Sequence, residues 1–302
     1  MKTKVQISLK DYVQTCVISG TLYKLQLIIG LIATKAIEVY AKLQEGVNSS
    51  QNGMLTPEMV EHIRTICEEK TDDYINARQA PFTEEEIAHP TEWQSFGAKL
   101  LYETLLDRHS LGVRSALNVG GYNDRHFSYM AQKFPDVSFC SVDFMSESKM
   151  HQFNDLLPQS PNWNLKSGYA LELLQKGEVD ADLVFFSSTA LLINNKELDL
   201  YLDELARRSK VIVINEAWGV VSTAPRLSKL GLLPRVIRPE DIPEDAPAVR
   251  SMSGVYFFYA HNYPAKLEKR GFKVRLSTIS SANNPALYLY QVVAVKTGNG
   301  GK

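Results

Sequence analysis

The spacing of hydrophobic and polar positions changes character at about residue 90. From Thr91 onward, short apolar runs alternate with amphipathic segments, which predicts strands alternating with helices. The predicted strands are Ser115–Val119, Val137–Asp143, Trp163–Ser167, Ala181–Phe186 and Lys210–Asn215. The predicted helices are Trp93–Asp107, Arg125–Phe134, Lys149–Leu157, Ala170–Lys176 and Asn195–Arg208. Helices of this length between strands favour right-handed crossovers and therefore a parallel sheet.

The C-terminal segment breaks this alternation. A helix is predicted over Tyr263–Arg270 and a strand over Phe272–Leu276, followed by a loop at Asn283–Pro285 and a final strand over Leu287–Val295. That loop is too short to hold a crossover helix, so the last two strands are expected to be antiparallel. The fold class predicted is α/β, with a doubly wound, mostly parallel seven-stranded sheet and an antiparallel terminal strand.

The first 90 residues show no strong strand pattern and predict a helical N-terminal extension. Thr56–Pro57 and Thr83 are the expected helix starts, because threonine caps a helix and proline suits its first turn. We expect residues 1–90 to cover the active site or to form a homo-oligomer. Residues 91–302 then form the α/β domain, in which the proline-rich stretch 220–250 is an inserted lid or acceptor loop.

An apolar segment at Cys16–Val39 has two interpretations. Its continuous apolar centre is roughly half of the about 20 residues that a spanning helix needs, and Lys24 and Lys35 bracket it. A buried or oligomer-forming helix is therefore favoured over a helix that contacts a membrane surface.

Composition narrows the class of protein further. The formal net charge is −1, so no overall electrostatic attraction to nucleic acid is expected. The three cysteines have no paired spacing and no neighbouring histidine cluster, which predicts reduced thiols, a cytoplasmic location and no metal site.

The carboxyl ends of the predicted strands carry the candidate chemistry. Leu117–Asp124 ends the first strand in Gly120–Gly121, and glycine lets a backbone approach a ligand closely. Asp143 ends the second strand a little over 20 residues later, where an acid accepts hydrogen bonds from ribose hydroxyls in dinucleotide enzymes. Asp143 also has a plainer interpretation as a helix cap.

The order of these elements, with the Leu117–Asp124 turn and Asp143, resembles the class I S-adenosylmethionine-dependent methyltransferases over roughly residues 91–297. In this sequence Asn118 stands where the family usually has an acid, and Tyr122 and Asp124 stand where it has later glycines. The resemblance implies the cofactor S-adenosylmethionine. The cofactor-binding residues that it implies are Asn118, Gly120, Gly121, Tyr122, Asp143, Phe144, Gly168, Tyr169, Ala170, Ser187 and Ser188.

Three residues are candidates for proton transfer. Glu216 follows the predicted fifth strand on the acceptor side, and His261 precedes the last helix in a stretch similar to one in some bacterial members of the family. His126 follows the glycine turn, and a neutral imidazole is a suitable base near pH 7. Each also has a structural interpretation as a cap, an ion pair or a packing residue.

The activity implied is metal-independent O-methylation of a small polar acceptor, a sugar or a natural-product intermediate. The first alternative is a non-catalytic methyltransferase-like scaffold, favoured by the departures from the glycine pattern. The second is an NAD(P)-dependent oxidoreductase, for which the GxGxxG pattern is absent and the Tyr129–Lys133 spacing occurs too early in the chain.

Overall fold

The computed structural model describes residues 80–297 except 122–123, 219–220, 223–234, 237–241, 243–247, 251–256, 260 and 282–287, together with residues 61 and 65. The apolar segment 16–39 and nearly all of the predicted N-terminal extension lie outside the described residues. The same holds for most of the 220–250 insertion, so their expected roles stay predictions.

A seven-stranded sheet forms the centre of the molecule. Its strands are β1 Ser115–Val119, β2 Ser138–Asp143, β3 Trp163–Ser167, β4 Leu183–Ser187, β5 Val211–Trp218, β6 Phe272–Ser281 and β7 Tyr288–Lys296. Their order across the sheet is β3-β2-β1-β4-β5-β7-β6. β7 runs antiparallel to both of its neighbours, and the pairings among β1 to β5 are parallel. The predicted fold class is confirmed.

Eight described helices accompany the sheet. They are α1 Glu84–Ala88, α2 Trp93–Leu106, α3 Arg108–Leu111, α4 Arg125–Lys133, α5 Glu147–Phe153, α6 Ala170–Lys176, α7 Asn195–Arg208 and α8 Tyr263–Glu268. A short 3₁₀ helix covers Ala190–Leu192. Two small antiparallel ribbons lie outside the main sheet and pair residues 221–222 with 235–236 and residues 248–250 with 257–259.

β4 and β5 are apolar over Leu183–Phe186 and Val211–Ile214 because both faces of the sheet are covered there. In β5, Val211 and Val213 belong to the core on one face, whereas Ile212 and Ile214 belong to the core on the other. Successive side chains of a strand point to opposite faces, so a strand buried on both sides needs apolar residues at every position. This explains the continuous run that predicted the strand.

β5 ends three residues later than the sequence pattern predicted. It continues through Trp218 because the long strand β7 pairs with it over the whole of its length, with Tyr288 opposite Trp218 and Tyr290 opposite Glu216. Glu216 therefore lies within the strand and not in a loop after it, and this corrects the position given to it from the sequence.

The packed unit begins before residue 91. Thr83 caps α1 as predicted, with Glu86 completing a capping box. Phe82 and Ile87 are buried in the same core as α2 and α4, and the Arg125 guanidinium lies over the Phe82 ring at 3.9 Å. Residues 82–87 thus pack against the helices on one face of the sheet.

Within the described residues, no helix is long and apolar enough to cross a membrane.

Gly97 in α2 tests how tightly this helix packs on the sheet. A Cβ at this position would lie 2.7 Å from Asn215 Nδ2, and the Asn215 amide is held by Trp93 O and by Gln291 Nε2. We therefore expect Gly97→Ala to lower the free energy of unfolding by about 1–3 kcal/mol. At a helix position without such a contact, replacing glycine by alanine normally raises stability by about 1 kcal/mol.

Denaturant unfolding measures this change. The matched control is Glu103→Ala on the exposed side of the same helix, which should change the stability by less than about 0.5 kcal/mol. A Gly97→Ala protein as stable as the parent would show that the helix does not pack this closely.

Candidate functional site

The glycine turn lies at the point where the sheet changes winding direction. β1 stands between β2 and β4, and the chain leaves β1 toward one side and later returns to form β4 on the other. In open α/β sheets, ligands bind in the crevice beyond the carboxyl ends of the strands at such a point. Gly120 adopts a φ of +81°, and its N–H donates to Val142 O at 2.8 Å. The turn is thereby fastened to β2 immediately before Asp143.

A buried polar cluster lies under this turn. It consists of Asn118, Asp124, Ser141 and Trp163. Asp124 Oδ2 accepts hydrogen bonds from Asn118 Nδ2 at 2.7 Å and from Ser141 Oγ at 2.6 Å. Ser141 Oγ in turn accepts from Trp163 Nε1 at 2.9 Å. A Cβ at Gly121 would lie 2.9 Å from both Asn118 Nδ2 and Asp124 Oδ2. Only glycine therefore fits over the cluster.

Asp124 also caps helix α4 with its other oxygen, which accepts from Phe127 N at 2.9 Å. Burial raises the pKa of this carboxyl to about 6, against the opposing effect of its hydrogen bonds. It is therefore mostly ionised at neutral pH and holds one negative charge under the glycine turn. Asn118 Oδ1 is buried and has no hydrogen-bond partner among the described residues.

Asp143 ends β2 and lies beside the glycine turn, as the sequence predicted. Its Oδ1 accepts from Met145 N at 3.0 Å, and its backbone oxygen accepts from Gly168 N at 2.8 Å. Burial raises the pKa of the Asp143 carboxyl to about 6. The residue as a whole is partly exposed at the carboxyl end of β2.

The neighbouring aromatic residues stack on each other. The rings of Phe144 and Tyr169 lie 5.7 Å apart with their planes inclined by 16°. Phe144 is partly exposed, whereas Tyr169 is buried and donates its hydroxyl to Glu197 Oε1 at 2.9 Å. Tyr169 thus supports Phe144 from the core side, and its hydroxyl already has a partner. Ala170 is buried as the first residue of α6.

The turn after β4 closes against the glycine turn. Ser187 ends the strand with a buried Oγ that has no partner among the described residues, and Ser188 has a φ of +54°. A side chain in this left-handed conformation costs about 1–2 kcal/mol. The next residue, Thr189, lies directly over Gly120, where an added Cβ would be 2.8 Å from Thr189 Cγ2.

Glu216 holds this strained turn in place. Its Oε1 accepts from Ala190 N at 2.9 Å and from Thr189 N at 3.3 Å, at the start of the 3₁₀ helix. Burial raises the pKa of the Glu216 carboxyl to about 8. Its Oε2 is buried without a hydrogen-bond partner in the described part of the chain.

The two predicted histidines are engaged by the protein itself. His126 is packed between Phe82 and Phe185, and its Nε2 lies 3.0 Å from Gln94 O. His261 Nε2 lies 2.9 Å from Ile193 O and its Nδ1 lies 2.8 Å from Asn195 Oδ1. Burial lowers the pKa of each imidazole to about 4, so both are neutral at pH 7.

Most of the predicted residues meet at one edge of the sheet. Asn118 and Glu216 lie within the C-terminal parts of β1 and β5, and the residues that end or follow a parallel strand there are Gly120, Gly121, Asp143, Phe144, Gly168, Ser187 and Ser188. His126 instead faces the core beside α2. Tyr122 lies outside the described residues.

The sequence interpretation gave no role to Asp124, Thr189 or Glu197. Asp124 had a detectable signal, because an aspartate directly before a helix is a preferred cap. The signal for Glu197 was weaker: it stands three residues after Asn194, which caps α7 by accepting from the Glu197 backbone N–H. No sequence signal places Thr189 over Gly120, since that contact depends on the register of two strands.

Within the described residues, no group of three or more histidine, cysteine or acidic side chains is placed to hold a metal ion.

Comparison with known proteins is informative at the level of structure. No protein-family model matches the sequence, and no curated protein matches it. Among solved structures, magnesium protoporphyrin IX methyltransferase from Synechocystis PCC 6803 with bound S-adenosylhomocysteine is similar with a TM-score of 0.50 and 13% identity, over 78% of this chain and 99% of that one. The same enzyme with S-adenosylmethionine bound gives a TM-score of 0.50 and 11% identity, over 82% and 100%.

A third similar structure is 1,6-didemethyltoxoflavin-N1-methyltransferase from Burkholderia thailandensis, with a TM-score of 0.50, 12% identity and coverage of 81% of this chain and 92% of that one. Together with the strand order and the antiparallel β7, these similarities establish that this chain has the class I methyltransferase fold. The resemblance identified from the sequence is confirmed at that level.

Glu216→Gln tests the buried carboxyl without removing its acceptor oxygen. Because the pKa of Glu216 is raised from 4.5 to about 8 in the folded protein, its contribution to stability is complete below pH 4.5 and is lost as the pH rises to about 8. That loss amounts to at most about 1.4 kcal/mol per pH unit. Glutamine does not titrate, so the variant should gain stability relative to the parent between pH 6 and 8.

Chemical denaturation at a series of pH values gives the slope of the unfolding free energy against pH for the parent and for Glu216→Gln. Glu172→Gln, an exposed residue of α6, controls for the loss of one negative charge and should keep the slope of the parent. Parallel slopes for the parent and Glu216→Gln would contradict a raised pKa at this position.

Proposed function

We propose that this protein is an S-adenosylmethionine-dependent methyltransferase and that its acceptor is a small molecule. The observation that carries the proposal is the juxtaposition of the Gly120 turn with the Asp143 carboxylate at the ends of neighbouring strands. In this fold, that edge of the sheet is where a nucleoside ligand lies. The similar solved structures contain S-adenosylmethionine or S-adenosylhomocysteine, which supports the choice of cofactor.

The residues fit an adenosyl ligand chemically. A carboxylate accepts hydrogen bonds from both hydroxyls of a ribose, and Asp143 is a partly exposed residue whose carboxylate accepts from the backbone N–H of Met145. Phe144 offers an aromatic face beside it, supported from behind by Tyr169. In the proposed site, the adenosine lies along Asp143 and Phe144, and the amino-acid part extends past the glycine turn toward the turn after β4, beside Thr189, which packs on Gly120.

We further propose metal-independent O-methylation of a small polar acceptor. The reaction is an in-line displacement with a neutral leaving group, so the protein contributes mainly by orienting the reactants. A hydroxyl acceptor also gives up a proton, and a base assists that step. Among the three candidates Glu216, His126 and His261, Glu216 is the one whose Oε2 has no hydrogen bond, which favours it over the two histidines.

A non-catalytic scaffold is the second candidate function. Thr189 packs directly on Gly120, so this glycine is required for packing even without a ligand. The alternatives differ in what the protein binds. A methyltransferase binds S-adenosylmethionine and S-adenosylhomocysteine, a scaffold binds no nucleotide, and an oxidoreductase binds NAD(P)H.

Titration calorimetry with S-adenosylhomocysteine tests the proposal directly. We expect a dissociation constant in the micromolar range for the parent protein at pH 7.5, which corresponds to about −8 kcal/mol, and no binding of NADH or NADPH. Absence of heat with S-adenosylhomocysteine at millimolar concentration would contradict the proposal and favour the scaffold.

The pH dependence of the same affinity tests the role of Asp143. Hydrogen bonds from ribose hydroxyls favour the ionised carboxylate, and burial places the pKa of free Asp143 at about 6. Affinity should therefore fall as the pH drops below 6, by up to about tenfold per pH unit. Asp143→Asn should bind at least about tenfold more weakly at pH 7.5, because the charge-assisted hydrogen bonds are lost. Its affinity should also fall less steeply below pH 6, where the buried Asp124, whose pKa is about 6, still titrates.

Asp107→Asn at the exposed end of α2 is the matched control and should keep both the affinity and the pH dependence. Unchanged affinity in Asp143→Asn would remove Asp143 from the site.

A further inference from the structure

Arg125 brings three helices together beside the glycine turn. It is the first residue of α4, and its side chain is 8% exposed. Its guanidinium donates to Glu86 Oε1 of α1 at 3.2 Å and to Gln94 Oε1 of α2 at 3.3 Å, and it lies over the Phe82 ring. We call residues 82–96, which contain all three of these partners, the cover. A single side chain of α4 therefore holds the cover at three different points.

Gly97 divides α2 into two parts that pack in different ways. Beyond Gly97, the residues that face the sheet are apolar and buried, and they are Ala98, Leu100, Leu101 and Leu105. Before it, backbone oxygens of the helix accept hydrogen bonds from side chains of neighbouring elements. The pairs are Trp93 O with Asn215 Nδ2, Phe96 O with Gln291 Nε2, and Gln94 O with His126 Nε2, at 3.0–3.2 Å. Polar contacts thus hold the start of α2, and an apolar core holds the rest.

Polar contacts of this kind separate more easily than an apolar core does. Water replaces each hydrogen bond that breaks, so a neutral bond contributes little net free energy, and an ion pair with an exposed partner also contributes little. Glu86 is such a partner, with 40% of its side chain exposed. The residues of the cover that belong to the apolar core are Phe82 and Ile87. Because segments with few buried apolar contacts open first, the cover can open while α2 beyond Gly97 stays in place.

The start of α4 joins the cover to the proposed cofactor site. Three consecutive residues make this connection. Asp124 accepts from Asn118 and Ser141 beneath the glycine turn, whereas Arg125 and His126 bind the cover. A nucleoside ligand lies at this edge of the sheet in such a fold. Movement of the cover therefore changes access to the glycine turn from the side that α4 borders.

We propose that the contacts of Arg125 form a latch that holds the cover closed, and that the cofactor enters and leaves when this latch opens. Arg125 is a positioning residue in this scheme, because it acts on the cofactor only through the cover. The inference rests on the proposed function. It adds to that function a control over cofactor exchange, located in the Arg125 side chain.

Arg125→Gln tests the latch through the rates of ligand binding. A latch holds the cover closed both with and without a ligand. Its loss should therefore raise the association and dissociation rate constants of S-adenosylhomocysteine by the same factor, at least about fivefold, because hydrogen bonds between charged groups are the stronger ones. The dissociation constant is the ratio of the two rate constants and should change by less than about twofold. Surface plasmon resonance gives both rate constants, and calorimetry gives the dissociation constant.

Arg108→Gln is the matched control. Arg108 is also paired with an acid, Asp136, and its guanidinium also lies over a phenylalanine ring, that of Phe134. Phe134 caps the opposite end of α4 from Arg125. This variant should keep both rate constants of the parent protein.

A second variant serves if Arg125→Gln does not fold. Glu86→Gln removes the charge from the same ion pair at a partly exposed position, and glutamine also completes a capping box, so α1 keeps its start. Both rate constants should rise together in this variant as well. Glu85→Gln, an exposed neighbour on α1, is its control and should behave as the parent does.

Hydrogen exchange of the ligand-free protein tests the latch without the cofactor. In Arg125→Gln, amide exchange should be at least about fivefold faster in α1 and the first turn of α2, and unchanged in residues 98–106, because only the cover opens. An equal increase in both segments would indicate general destabilisation and would contradict the latch. Unchanged exchange in the cover would contradict it too.

The rate constants and the exchange together decide the outcome. A larger dissociation constant with an unchanged association rate constant would mean that Arg125 supports the site itself, and this would overturn the proposal. A parent protein that does not bind S-adenosylhomocysteine overturns the proposed function and with it the role of the cover in cofactor exchange. The exchange comparison then still decides whether Arg125 holds the cover closed.

Discussion

The hydrogen bonds that converge on the buried carboxylate of Asp124 determine the geometry of the rest of the site. They join β1 through Asn118, β2 through Ser141 and helix α4 through the Phe127 backbone. The backbone N–H of Asp124 donates to Asn154 Oδ1, which adds the segment after α5. The two strands and the helix therefore share one acceptor group at this end of the sheet, directly beneath Gly121.

The opposite wall of the cleft is fixed in a similar way by a second buried acid. Glu216 reaches from β5 to the backbone of Thr189 and Ala190, and this holds a turn in which Ser188 adopts a left-handed conformation. Thr189 then packs against Gly120. The two turns that border the proposed cofactor site are thus each held by a carboxyl group whose pKa is raised by burial. Placing such groups at the ends of strands costs folding free energy, which is common at functional sites.

The sequence was sufficient to predict the fold and the proximity of Gly120 to Asp143. The continuous apolar run at Val211–Ile214 implied burial on both faces, and the short loop before the last strand implied the antiparallel β7. The adjacency of Gly120 and Asp143 followed from the rule that parallel strands end at one edge. Each of these inferences depends on local pattern and topology, which the sequence carries directly.

The side-chain arrangement within the site could not be predicted in the same way. Tyr169 was expected to face the cofactor, but its hydroxyl is bound to Glu197 of α7, a contact between segments distant in sequence. The position of Glu216 inside β5 depends on the length of β7, and the engagement of His261 depends on Ile193 and Asn195. Long-range packing decides such contacts, and a pattern of residue types does not specify them.

A crystal structure of the protein with S-adenosylhomocysteine tests the central claim most directly. We expect density for the nucleoside at the ends of β1 and β2, with the ribose hydroxyls within about 3 Å of the Asp143 carboxylate and the amino-acid part directed toward the turn after β4. A ligand bound elsewhere, or a cleft filled by protein side chains at saturating ligand, would contradict it.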